Sequence, residues 1–516
     1  MTLIENSGRR RRGRPGSQTG AGAPPRKTDY RNLVNPFPPM DAVSQDRLEA
    51  IHDAALRVLE DQGVKILLPE ARKIFAAGGA MVDEDTEMVR IGRDIVATAL
   101  DSAPRSVPVR AGARDRDITL ELGRLVFQPG AGAPHATDLE RGRRPGNARD
   151  FRELIRLTQH FDVLHMIPPL VEPQDVTPEL RHYFTLETQL TQSDKVPFIF
   201  SRGTPQVLES FEMLRDFRGL SDAQFAAESH CYTIVNTNSP RQIDIPMAQG
   251  LIDFARHGQV SIVTPFTLMG AMAPITVAGA LTLSHAEALA AITLTQLARP
   301  GAPVCYGTFT SNVDMKSGAP AFGTPEHFKA SLLAGQLARH IGLPWRCASG
   351  SAANIADSQA AHETQFALWG CLLSGATVVI HAAGWLEGGL SVSYEKLITD
   401  LEVLQMVAEL CTPAEAGTDA IGLDAISEVE PGGHFFAAAQ TMARYQSEFY
   451  DPLVADWSNF GTWSDRGAMD ASSRATAIWK RVLESDDGPA VDPARAEALR
   501  AYIDVHTARG GAAPES

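Results

Sequence analysis

Three short runs gather the residue types that could do chemistry. The first is Tyr306-Gly307-Thr308-Phe309-Thr310-Ser311-Asn312-Val313-Asp314-Met315-Lys316. The second runs from Ser349 to Asp357 and carries Asn354, and the third is His381-Ala382-Ala383-Gly384-Trp385-Leu386-Glu387-Gly388-Gly389. Together they offer amides (Asn312, Asn354), carboxylates (Asp314, Asp357, Glu387), an imidazole (His381) and aromatic rings (Tyr306, Phe309, Trp385, with Trp345 nearby). His135 and Arg202 follow other strand-like stretches and join the candidates. Several familiar devices are missing. Gly130-Ala131-Gly132 is followed by Pro134 and His135, where a phosphate-binding helix would have to begin. His362-Glu363 lacks the second histidine of a zinc-protease helix, and the five cysteines are too far apart for a zinc or iron–sulfur site. The expected metal content is none.

The elements that must position these runs follow from periodicity. From about residue 150 onward, short β-branched stretches alternate with helical patterns. The expected strands are 163–167, 196–200, 231–235, 260–264, 303–307, 344–348, 377–381 and 419–426. Helical spacing covers 246–257, 278–298, 325–341 and 359–373 between them. This alternation predicts an α/β fold, a (β/α)8 TIM barrel with N-terminal and C-terminal helical extensions. In such a barrel the reacting groups stand at the C-terminal ends of the strands, where the three runs lie. The reading divides the chain into a disordered basic tail (1–30), a helical region with a small β-meander over 117–128 (31–150), the barrel (151–436) and a helical extension (437–516). The last helices are expected to close the barrel and to form a homo-oligomer.

Bulk properties exclude some functions. With 47 basic and 62 acidic residues the formal charge is −15, which repels a phosphate backbone and argues against nucleic acid. Only Arg9 to Lys27 is basic, and a tail of that composition is expected to stay solvated. No run is read as an apolar membrane span or a leader, so no membrane partner and a cytoplasmic location are expected. The cysteines are expected as buried apolar side chains.

Residues 312–326 (NVDMKSGAPAFGTPE), 353–360 with Glu363, 381–390 (HAAGWLEGGL) and 431–435 (PGGHF) resemble the trimethylamine methyltransferase family. The resemblance spans about residues 127–466, and the arginine-rich start is similar to some members. It implies a barrel whose mouth meets a separate corrinoid protein and passes methyl from an amine to cobalt(I). The chain lacks an Asp-x-His-x-x-Gly cobalamin loop, so the corrinoid (cobalamin) is expected on that partner and no cofactor on this chain. The family's archetype uses pyrrolysine in a loop near Ile355 here, where this chain has only standard residues. That departure resembles the non-pyrrolysine branch, which includes glycine betaine:corrinoid methyltransferases, and it points to a quaternary amine as donor. A quaternary nitrogen already carries its charge and leaves as a neutral amine, whereas a tertiary amine must first be made cationic. Trimethylamine or another methylamine as donor, and a non-catalytic quaternary-amine-binding barrel, stay open as alternatives.

The resemblance gives the candidates roles. A quaternary ammonium has no N–H to donate, so recognition falls to aromatic faces worth about 0.5–2 kcal/mol each. Tyr306, Phe309 and Trp385 are the rings for this. Glu387, Asp314 and Asp357 would balance the cation, and Asn312, Asn354 or His381 would donate to a substrate carboxylate. His381, Glu387 and Asp357 are the catalytic candidates; His135 and Arg202 complete the mouth. Each residue also has a plainer use: core packing for the rings, a structural role for the histidine, loop and helix capping for the acids.

Overall fold

The computed structural model describes residues 28–485 and 488–515, so the basic stretch from Arg9 to Lys27 lies outside the described residues. Short apolar runs form eight parallel strands: β1 (Arg124–Phe127), β2 (Met166–Ile167), β3 (Val196–Pro197), β4 (Tyr232–Val235), β5 (Val260–Val263), β6 (Val304–Gly307), β7 (Trp345–Ala348) and β8 (Val378–Ile380). One ladder joins six of them in the order β1, β8, β7, β6, β5, β4. β2 pairs with β3 separately, Met166 opposite Val196. A single bridge from Phe198 to Tyr232 carries the pairing from β3 toward β4.

At the remaining edge, Leu33–Val34 lies antiparallel on the start of β1. The end of β1 meets β2 through one residue. The His165 backbone N–H donates to the Phe127 carbonyl at 2.9 Å, and the Phe127 N–H donates to His165 Nδ1 at 2.9 Å. His165 Nε2 lies 3.0 Å from the Tyr30 carbonyl. The imidazole therefore has to be neutral, with its proton on Nε2.

Each strand is followed by a helix: α1 (Ala148–His160), α2 (Pro178–Gln192), α3 (Thr204–Arg218), α4 (Ile245–Arg256), α5 (Val277–Ala298), α6 (Pro325–Ile341), α7 (Ser358–Ser374) and α8 (Tyr394–Leu410). Their ends follow local chemistry. Thr324 caps α6 by accepting the His327 N–H, Pro325 opens it, and Gly342 in the left-handed conformation closes it. Side chains alternate across each strand. Val126, Met166, Val196, Val260, Ile262, Cys305, Ala348, Val378 and Ile380 share one buried cluster with the hairpin residues Val107, Val109, Ile118 and Leu120. Val304, Tyr306, Trp345, Cys347 and Val379 instead belong to the cluster formed with the helices.

Four expectations about elements are corrected. Residues 419–426 are not a strand; Thr418–Ile421 and Leu423–Ser427 are short helices, and Ile421, Leu423 and Ile426 are exposed where a barrel strand would bury them. They lie in a separate compact unit, residues 414–451. The strand missing from the sequence reading is β1, hidden in the alternation of 117–128, of which only Ile118–Glu121 is hairpin, paired with Ser106–Val109. The region expected as helical also holds a small sheet formed by Val64–Ile66, Met81–Asp83 and Met88–Arg90. α5 is long and apolar enough to cross a membrane, contrary to the expectation that no such run exists. With 78% of its apolar window buried, it is a core helix of the fold.

Four of the five cysteines are buried. Burial holds His165 and His327 down at about 4, against 6.5 for a free histidine. The unfolded chain therefore takes up protons below pH 6.5 that the folded chain refuses, so stability is lost as pH falls from 6.5 toward 4. Each such histidine contributes up to about 1.4 kcal/mol per pH unit in that window. The midpoint of thermal unfolding is expected to drop between pH 7 and pH 5; an unchanged midpoint would contradict this.

Candidate functional site

A cavity of about 430 Å³ opens at the C-terminal ends of the strands, lined by residues that include Phe198, Phe200, Phe266, Phe309, His381 and Trp385. Its wall is built by the loop after β8. His381 takes a left-handed backbone conformation, φ 54°. The Ala382 N–H donates to the Gln128 carbonyl at 3.0 Å, and the Gly130 N–H to the Ala383 carbonyl at 2.8 Å. The Gly384 N–H donates to Asp400 Oδ2 at 2.9 Å, and Asp400 is in turn ion-paired with Lys396 at 2.8 Å inside α8. Trp385 then pairs with Val392 in a two-strand turn. The loop is held by main-chain bonds and a buried ion pair, so the position of the indole is fixed before any ligand enters.

The rings are mutually packed. Trp385 stacks on His381 with centroids 4.3 Å apart and planes 13° apart. Phe309 lies 5.8 Å from Trp385 and 5.5 Å from His381, and Phe322 backs Phe309 and Trp385. Burial first, and the positive charge of Arg346 second, hold the His381 imidazole well below its ordinary range, so it is neutral at pH 7. The imidazole itself therefore adds no positive charge to the stacked pair. His381 Nδ1 and Trp385 Nε1 are buried without hydrogen-bond partners among the described residues.

Of the residues singled out from sequence, Arg202, Phe309, His381 and Trp385 line this cavity together. The others are placed elsewhere. Tyr306 has the outward parity of β6, and its hydroxyl meets His285 Nδ1 at 3.0 Å behind the strand. Asn312 Oδ1 accepts the Thr324 hydroxyl at 2.7 Å beside α6. Asp357 is the cap of α7, accepting the Gln359 and Ala360 N–H groups. Asp314 accepts the Ser317 hydroxyl at 2.6 Å in an exposed turn, which holds its carboxyl below the usual range. Asn354 is exposed. Glu387 forms a two-pronged ion pair with Arg143 at 2.9 Å, and His135 Nδ1 lies 3.1 Å from the Leu390 carbonyl at the same rim. The acids expected to balance a cation are thus used in caps, turns and ion pairs. No carboxylate lines the cavity among the described residues.

Sequence reasoning missed Phe198, Phe200, Asn236, Phe266 and Arg346. The first three sit at or just beyond the ends of β3 and β4, places where a barrel is expected to present its site. The signal for Arg346 is a charge inside an otherwise apolar strand.

Comparison with known proteins bears on what this pocket does. A family model described as trimethylamine methyltransferase (MTTB) matches residues 9–511. The chain is 30% identical over 469 residues to a glycine betaine methyltransferase of Desulfitobacterium hafniense (strain Y51), covering 90% of this chain and 97% of that protein. It is 28% identical over 476 residues to a trimethylamine methyltransferase MttB of Methanosarcina barkeri (strain Fusaro / DSM 804), covering 90% and 95%. A solved structure of the Methanosarcina barkeri monomethylamine methyltransferase (MtmB) covers 90% of this chain and 96% of its own, at TM-score 0.45 and 10% identity.

Proposed function

The chain belongs to the trimethylamine methyltransferase family and is a methyltransferase, and on that premise we propose that it moves a methyl group from a quaternary amine of betaine type to a reduced corrinoid carried by a partner protein. The observation that carries this reading is the preformed aromatic wall of Trp385, Phe309 and neutral His381 at the strand ends. Such a wall suits a cation that has no hydrogen to donate. Relatives named for glycine betaine and for trimethylamine agree with a methylated amine as donor.

Within this reading the eight strands close into a (β/α)8 barrel that runs from β1 to α8, flanked by helical extensions. The His165 seam and the Phe198–Tyr232 bridge support closure at the two gaps in the ladder. A cavity of about 430 Å³ has the size for a small amine rather than a corrinoid, which fits an acceptor that arrives on another protein. Among the residues present, none is assigned a bond to cobalt. The chain's task is to orient one N–methyl bond toward the open end and to keep water out. The acceptor supplies the electron pair to the methyl carbon. The pair of the broken C–N bond stays on nitrogen, and a neutral tertiary amine leaves. A cytoplasmic location and a homo-oligomeric state go with this proposal.

Trimethylamine is expected to fail as donor. In a cavity without a carboxylate, burial favours the free base over its protonated form, and the free base is a poor methyl donor because it would have to expel an amide anion. The test supplies purified protein with chemically reduced cobalamin and either glycine betaine or trimethylamine, and follows the visible spectrum. Methyl transfer from glycine betaine, with trimethylamine nearly inert at pH 7, is the expected result. Equal turnover of trimethylamine, or no transfer from any quaternary amine, would overturn the reading.

A further inference from the structure

The deepest charge in the cavity has no use in the amine reading. Arg346 sits midway along β7 at the inward parity, between the outward-facing Trp345 and Cys347. It is 1% exposed. Its Nη1 donates to the Thr308 carbonyl at 2.8 Å, and its guanidinium carbon lies 5.0 Å from the centre of the Phe309 ring. One carbonyl occupies one of five donors. Nε is buried and unpartnered, and no salt bridge to Arg346 is present among the described residues. Burial lowers its pKa only to about 9, so the group stays cationic at neutral pH.

The second arginine of the wall behaves differently. Arg202 is partly exposed and donates from Nη1 to Glu172 at 2.9 Å. Arg346 is therefore the uncompensated charge of the cavity, and a guanidinium buried without an anion is costly to keep. Its planar fork matches a carboxylate.

We infer that Arg346 is the anchor for a carboxylate of the substrate, so that the donor is a short zwitterion held with its carboxylate down the strand axis and its quaternary nitrogen up among Phe309 and Trp385. This rests on the quaternary-amine reading and gives it a direction. Arg346 lies within β7, whereas Trp385 and His381 lie beyond the end of β8. A ligand anchored at its anionic end presents its N-methyl groups to the mouth, where an acceptor on another protein must approach. A cation lacking a carboxylate would enter a wall whose unpaired fixed charge is positive, with nothing to offset it.

Calorimetric titration of the full chain with three probes tests this: glycine betaine, choline, and 3,3-dimethylbutanoate, in which carbon replaces the quaternary nitrogen and the carboxylate is kept. Glycine betaine is expected to bind, 3,3-dimethylbutanoate to bind more weakly, and choline to show no heat. Arg346→Gln should weaken glycine betaine and 3,3-dimethylbutanoate by about ten- to a hundredfold, the equivalent of a lost charge-assisted hydrogen bond or pair of bonds. Arg346→Lys, which keeps the charge without the fork, should lose less. Choline binding as tightly as glycine betaine overturns the inference, as does glycine betaine affinity unchanged in Arg346→Gln, or no binding of any probe at millimolar concentration. If Arg346→Gln fails to fold, the three probes on the unaltered chain and on Arg346→Lys decide. Should 3,3-dimethylbutanoate bind as tightly as glycine betaine while choline fails, the anchor stands and the quaternary-amine reading falls.

Discussion

Truncation of Trp385 to alanine is expected to cost the protein both stability and turnover. The indole is 3% exposed and belongs to the same buried cluster as Val126, Ile262 and Ile380. It is stacked on His381 and edge-on to Phe322 at 5.1 Å. Its place in a loop after β8 does not make it dispensable to the fold, because the loop turns inward and the ring caps the strand interior. Large-to-small replacement at such a site costs about 3–5 kcal/mol through lost contacts and the cavity left behind. Loss of its face toward a quaternary nitrogen adds a separate effect on the reaction. If that face contributes about 1.4 kcal/mol, turnover falls about tenfold. Denaturant unfolding measures the first effect and methyl transfer from glycine betaine to reduced cobalamin the second. Trp385→Phe separates them, since it refills most of the volume while offering a weaker face. Full activity in Trp385→Ala would remove the indole from the substrate site.

Much of the architecture was legible because buried parallel strands leave short apolar runs between helical patterns, and seven of these fell where strands form. β1 was misread because Arg124–Phe127 was joined to the hairpin strand before it, although Gly123, at φ 93°, turns the chain between the two and Leu125-Val126-Phe127 is a continuous apolar run. The site was less legible, for a reason of parity. Tyr306 and Trp345 look like mouth residues by position, but four-residue strands buried on both faces show no polar alternation, so the sequence does not reveal which residues face inward. Tyr306 faces α5, where its hydroxyl finds His285. The inward side of β7 is the one that carries Arg346.

Polar residues just after strands misled in a second way. Asp357 caps α7 and Asp314 organises a turn, which are the uses that loop acids most often have. What did transfer from sequence to structure was the unusual residue in an unusual setting: Trp385 between glycines. Those glycines are not there to make the loop flexible. Gly389 lies directly against the indole, as do Gly350 and Gly130 from other loops.

Gly350→Ala is accordingly expected to damage the site from the side opposite the ligand. Gly350 follows β7 at φ 116°, a conformation that side chains rarely adopt, and a Cβ placed there would overlap Cε3 of Trp385 and stand 2.9 Å from Cζ3. On the other edge of the ring, a Cβ at Gly389 would fall 2.5 Å from Cζ2, so the indole is clamped between two glycines and cannot slide away. Backbone strain costs about 1–3 kcal/mol and forced repacking about as much again. The ring must tilt, which breaks its 13° alignment with His381 and moves the aromatic wall toward the cavity. Glycine betaine affinity is expected to fall about tenfold or more, the scale of one lost aromatic face. Gly318→Ala supplies the control. Gly318 also has a positive φ, 76°, but a Cβ there meets nothing within 4 Å, so it carries the backbone strain without the displaced ring. That variant should lose some stability and keep its affinity for glycine betaine. Calorimetric titration of both variants decides the matter: a Gly350→Ala protein that binds glycine betaine as tightly as the unaltered chain would show that the clamped indole does not form the wall of the substrate site.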